Sequence, residues 1–195
     1  MAYISRLALT AAIMSIPQFA MADTKCLASD GYVAVARDHV DEVGIDLILR
    51  QSADGASTRM CQFAAQKGDY NVLPKENDNT LLDFHSNLLV LDGGTGPKRQ
   101  LTVIDVTSRK KILSDVPYAD EDGLEPQAGE SGITFWQIGA AVQVAQCANK
   151  DSLLQQNENV KTAHQTQEMT ISYGQPVVKP TGQRGCVITE DDISN

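Results

Sequence analysis

Apolar side chains recur at every second position through most of this chain, a period that suits strands and rules out amphipathic helices over the same stretches. In Val43–Arg50, Val43, Ile45, Leu47 and Leu49 fall on one face. Tyr32–Ala36 precedes it as a strand. Asp54-Gly55 supplies a turn, and Arg59–Ala65 reads as a third strand. Intervals this short leave no room for crossover helices, so the strands should run as an antiparallel meander. Gly68–Val72 reads as a short edge strand before Pro74, followed by Leu81–Phe84. The apolar quartet Leu88–Leu91 has the composition of a strand buried on both faces. Leu101–Val106 and Lys111–Leu113, joined through Thr107–Lys110, resemble one hairpin of a propeller blade. A propeller needs at least four blades, and no repeat of the unit is visible, so that architecture is set aside.

Residues 117–132 are rich in Pro, Gly and acids and read as a long loop. Ile133–Trp136, Met169–Tyr173 and Gly185–Thr189 complete the strands. Asn149–Gln165 is the one helical candidate, with Asn149 or Asp151 as cap and Leu153, Leu154 and Val160 as its stripe. The expected fold is mostly β: a single antiparallel β-sandwich or small open barrel domain with one short helix in the last third. Its core should draw on Ile45, Leu47, Leu49, Phe63, Leu89, Leu91, Val103, Phe135 and Ile171.

Residues 1–22 have the layout of a secretory signal peptide. Arg6 is the positive region, Leu7–Ile16 the apolar run, and Ala20-Met21-Ala22 the small-residue cleavage site. The apolar run is too short to span a bilayer. Residues 23–195 then form the β-rich domain. Asp23-Thr24-Lys25 before Cys26 is not the small apolar set that precedes a lipidated cysteine, so a soluble periplasmic protein is expected.

Four cysteines, Cys26, Cys61, Cys147 and Cys186, are an even set in an exported chain, which reads as two disulfides. They are too widely spaced for a zinc knuckle. Of the three possible pairings, Cys26–Cys61 with Cys147–Cys186 is preferred, because each bond then ties neighbouring elements together. The formal net charge of −9 disfavours nucleic acid and anionic lipid and favours a cationic protein as partner.

No catalytic, cofactor or metal set emerges. Leu91-Asp92-Gly93-Gly94-Thr95-Gly96 is similar to the phosphate loops of actin-type and sugar-kinase folds. No Walker-type lysine or second phosphate loop accompanies it, and its glycines read as a chain reversal. Gly129-Glu130-Ser131-Gly132-Ile133 misses the GxSxG elbow by its last residue and lacks the strand–helix context. His39, His85 and His164 match no metal or triad spacing. The run Asp120-Glu121-Asp122-Gly123-Leu124-Glu125 lacks EF-hand spacing.

What remains is an exported, non-catalytic module of the inhibitor or immunity type that binds another protein. Its candidate binding residues lie in the loops 74–79 and 117–131: Asn77, Asp78, Asp120, Glu121, Asp122 and Glu125. A hydrolase would be favoured by a deep pocket containing two or more of Asp92, His85, Asp105 and Glu130. A small-molecule or ion-binding β module would need a cavity between sheets.

Overall fold

The computed structural model describes residues 23–52, 57, 59–94, 99–120 and 124–189. The leader assigned to residues 1–22 lies outside them, as do Glu121 and Asp122. Among the described residues, twelve strands form three antiparallel sheets of four, and no closed barrel results. The first sheet holds β1 (Thr24–Ser29), β2 (Tyr32–Asp38), β3 (Ile45–Gln51) and β4 (Tyr70–Asn71). The second holds β5 (Thr80–His85), β6 (Leu88–Gly93), β7 (Gln100–Asp105) and β8 (Lys110–Pro117). The third holds β9 (Gln127–Ala128), β10 (Gly132–Gln143), β11 (Thr162–Ser172) and β12 (Val178–Val187). Every strand pairs with its neighbour in sequence, so each sheet is a meander. The four-strand unit does recur three times, but in topology and not in sequence, which is why no repeat was visible.

The middle sheet is covered on both sides. Along β6, Leu89 and Leu91 point into a core shared with Ala34, Leu47 and Leu49 of the first sheet. Leu88 and Val90 alternate into a second core with Ile133, Phe135 and Ile171 of the third. The continuous apolar quartet is thus the sequence signature of a middle layer. Each of these leucines contributes about 1.5–3 kcal/mol by leaving water. β6 and β7 run antiparallel on either side of the glycine-rich stretch: Gly93 pairs with Gln100 and Gly94 takes φ +89°, while Thr95 and Gly96 lie outside the described residues.

Arg59–Ala65 is not the expected third strand. It belongs to a turn-rich segment that crosses the outer face of the first sheet, over the buried Val33, Val35 and Ile48. Two ties hold it there. Cys26 stands on that face beside Val35 and bonds to Cys61. Arg50, 2% exposed, donates to the carbonyls of Met60 (2.5 Å), Gln62 (2.7 Å) and Ala64 (2.5 Å). It also grips both carboxylate oxygens of Asp69 at 2.9 and 3.1 Å. The guanidinium takes up carbonyls that a neighbouring strand would otherwise have paired. Phe63, expected in the core, is instead half-buried under the Arg37 guanidinium, 4.2 Å from its ring centroid.

The helical candidate is real but short. Helix α1 covers Lys150–Gln156 and stops at Asn157, whose side chain accepts the Asn159 N–H (3.0 Å) in a turn that redirects the chain into β11. Leu153 and Val160 enter a third, small core with Val144, Ala163 and the Cys147–Cys186 bond, while Leu154 remains exposed. Both disulfides carry the preferred pairing.

Candidate functional site

Residues 74–79 and the first residues of the loop 117–131 lie at one end of the stacked sheets, whereas Ser131, at the far end of that loop, accepts the Tyr173 N–H (3.1 Å) beside His85 at the other. Residues 74–79 lead into Thr80, which pairs with Asp92 near the end of β6. Pro117 pairs with Gln100, so the chain beyond β8 leaves from that same end. The turn between β2 and β3 arrives there too, because Asn77 clamps Ile45. Its amide donates to Ile45 O (3.0 Å) and Pro74 O (2.9 Å), and its oxygen accepts the N–H of Asn79 (3.1 Å). Gly44, at φ +118°, lets the turn approach so closely that a Cβ would lie 2.0 Å from Asn77 O. Asn77 is therefore a scaffold residue of this end. Asp78 likewise accepts the Gly94 N–H at 3.1 Å and joins the loop to the end of β6.

Beneath the surface sits a buried ionic cluster. Asp92, 1% exposed, accepts hydrogen bonds from the Tyr118 hydroxyl (3.0 Å) and Arg99 Nε (3.0 Å), and its second oxygen meets Arg99 Nη2. Asp120 lies 3.5 Å from Arg99 at the exposed rim. Burial pushes the Tyr118 phenol above its usual range. Arg99 opposes that shift, and the charges of Asp120 and Glu125 add to it. Glu125 is thus close to this cluster while exposed to water.

The outer surface of this end is a groove of about 520 Å³ between the β2–β3 turn and Lys75-Glu76. Asp41, Glu42 and Glu76 line it, and none makes an ion pair among the described residues. The hydrogen bond from Arg37 (2.6 Å) holds the Asp46 carboxyl below the usual carboxylate range, against the effect of burial, with help from Arg37's charge and His39. Beside the acids, Val40 and Val43 stand 67% and 57% exposed. Val43, expected on the β3 core face, is instead on this turn. Sequence reading passed over Val40-Asp41-Glu42-Val43, although two valines bracketing two acids between strands is itself a pattern for an exposed turn with an apolar surface.

Of the residues a hydrolase would need, Asp92 stands apart, while His85 and Asp105 share the row of Leu88 at the other end, two strands and roughly 10 Å apart. Asp92 and Asp105 stand at opposite ends of the β6–β7 pair, since Asp92 faces Leu101 and Asp105 faces Leu88. Four residues of strand separate them, roughly 13 Å. Asp105 is occupied by Asn87 (2.8 Å), Ser108 (2.6 Å) and the Thr107 N–H (3.0 Å). His85 packs on Tyr173 with ring centroids 4.7 Å apart. Glu130 and Ser131 are exposed in the β9–β10 turn. Among the described residues no three His, Cys, Asp or Glu groups could hold a metal, and no helix is long and apolar enough to cross a membrane.

No family model matches this chain, and neither a curated protein nor a solved structure is similar to it.

Proposed function

We propose that this protein is an exported, non-catalytic binding module of the periplasm that docks a cationic protein on its acidic end. The observation that carries the reading is the groove at the β2–β3 turn, lined by Asp41, Glu42, Glu76 and the exposed Val40, with the exposed Val43 following in the same turn. Carboxylates at the rim attract a basic surface at long range, and the valines give it an apolar contact once it arrives. The two disulfides suit an oxidising compartment, and the leader pattern of residues 1–22 supplies the route. A basic enzyme that attacks the cell envelope, such as a secreted lysozyme or a cell-wall amidase, is the partner whose chemistry fits.

The test is binding of the oxidised protein to a panel of such hydrolases at low and high salt. Association should weaken as salt rises, and D41K/E42K should slow it by about tenfold or more. Absence of any association at low salt, or binding indifferent to the double reversal, would overturn the proposal.

A further inference from the structure

The third sheet has a second concavity, remote in chemistry from the acidic end. Along β11, Ala163, Gln165, Gln167, Met169 and Ile171 alternate onto one face. Met169 and Ile171 pack in the core against the middle sheet, and Ala163 lies in the small core under α1. Between the two cores the same face turns polar. Gln137, Gln167 and Arg184 form one cross-strand row over β10, β11 and β12, and Gln165 pairs with Cys186 in the next. Gln146 leans in from the segment before α1. The strip opens to water, with Gln146, Gln165 and Arg184 exposed and Gln137 and Gln167 half-buried.

The result is a trough of about 450 Å³. It spans roughly 7 Å along the strands and roughly 10 Å across them. One wall is rigid: the Cys147–Cys186 bond lines it, and Asn149 clamps Cys186 by donating to its carbonyl (2.9 Å) and accepting its N–H (3.2 Å). In a chain of net charge −9, no carboxylate lines this trough. Its one charge, the Arg184 guanidinium, has no ion pair among the described residues, and the side chains of Gln137, Gln165 and Gln167 have no hydrogen bond there. Gln146 accepts the Gln143 N–H at 3.1 Å, which leaves its NH₂ to donate.

We propose that this trough binds an acidic sugar of one or two rings, with Arg184 on the carboxylate and the glutamine amides on neighbouring hydroxyls. A guanidinium pairs with a carboxylate through two parallel hydrogen bonds. An amide offers a donor and an acceptor side by side, which suits adjacent hydroxyls. The trough offers no apolar pocket to a peptide side chain and no aromatic platform, so the ligand is polar on every side and its affinity is modest.

The test follows backbone and side-chain amide NMR signals of the full oxidised protein during titration with galacturonate. Galactose, acetate and the dipeptide Gly-Glu serve as comparison probes. Saturable shifts should appear at Gln165, Gln167 and Arg184 with galacturonate, and galactose should bind about tenfold more weakly or worse. R184M should weaken galacturonate about tenfold while keeping its thermal midpoint. Q167L, which would bridge the two cores with an apolar side chain, should match or exceed the parent's midpoint while losing the sugar. Shifts that never saturate, binding unchanged in R184M, or Gly-Glu binding as well as galacturonate would refute the proposal. A lowered midpoint in Q167L would also refute it by giving the amide a structural role. None of these outcomes bears on the acidic end, which contributes no residue to the trough.

Discussion

Arg50 shows how one side chain can replace a strand. It is almost fully buried, and five hydrogen bonds consume its guanidinium. Removing it strands the Asp69 carboxylate and three carbonyls, so R50M should cost about 3–5 kcal/mol, read as a drop in the urea midpoint. A loss under about 1 kcal/mol would show that the covering segment is held by Cys26–Cys61 alone. The carboxylates add a pH signature. Burial works against the charged forms of Asp69 and Asp105. Hydrogen bonds outweigh it, from Arg50 and the Gln66 N–H at Asp69, and from Ser108, Asn87 and Thr107 at Asp105. With Asp46 they titrate below the ordinary value of 3.8. Their stabilisation is therefore complete above that value and is lost as pH falls below it through the folded-state values. Urea midpoints measured downward from neutral pH should hold until about pH 4 and then fall, more shallowly in D69N. An equally steep acid limb in D69N would remove Asp69 from the account.

At the scale of elements, the strands were legible wherever alternation or a continuous apolar run met a partner strand. Val33–Ala36, Ile45–Leu49, Leu88–Leu91 and Leu101–Asp105 all stand where the pattern put them. Arg59–Ala65 misled because period two shows that a segment is extended or half-buried, not that it lies beside a strand. Contacts from residues distant in sequence, Arg50, Cys26 and Arg37, hold it across a face. The helix was overestimated because Asn157 and Asn159 turn the chain through a local side-chain bond that no apolar period records. The candidate loops were located by polarity, but the β2–β3 turn beside them was not, because its place depends on the Asn77–Ile45 clamp, a contact between segments far apart in the chain. The glutamine row was invisible for a related reason: polar residues on a strand signal solvent until both flanking cores are known. The small core around α1 makes its own prediction. Opening a loop of 39 residues with C147A/C186A should cost about 3–4 kcal/mol by loop entropy. Amides of residues 144–160 should then exchange early while those of β6 and β7 remain protected. Uniform loss of protection would mean that the third core is not a separate unit.

The molecule as a whole is a stack of three layers with its most apolar strands in the middle. β6 is buried along its length and β7 nearly so, whereas the outermost strands β1 and β12 are largely exposed. Local opening has the least to expose at the outside and the most at the centre. Native-state hydrogen exchange should therefore rank Leu89–Leu91 and Leu101–Ile104 slowest, and the β12 amides, on an exposed edge, fastest among the sheets. Slower exchange in β12 than in β6 would invalidate the layered account.

Each sheet is also built from one uninterrupted length of chain: 24–71, then 80–117, then 127–187. Strand partners never wait for a distant segment, so loop closure is cheap at every pairing step. A polypeptide delivered from its amino end can complete one meander before the next is available. The middle meander alone is left with a bare apolar side until β10 and β11 arrive. During synthesis, the interval between residues 117 and 172 is when this chain is most exposed to aggregation.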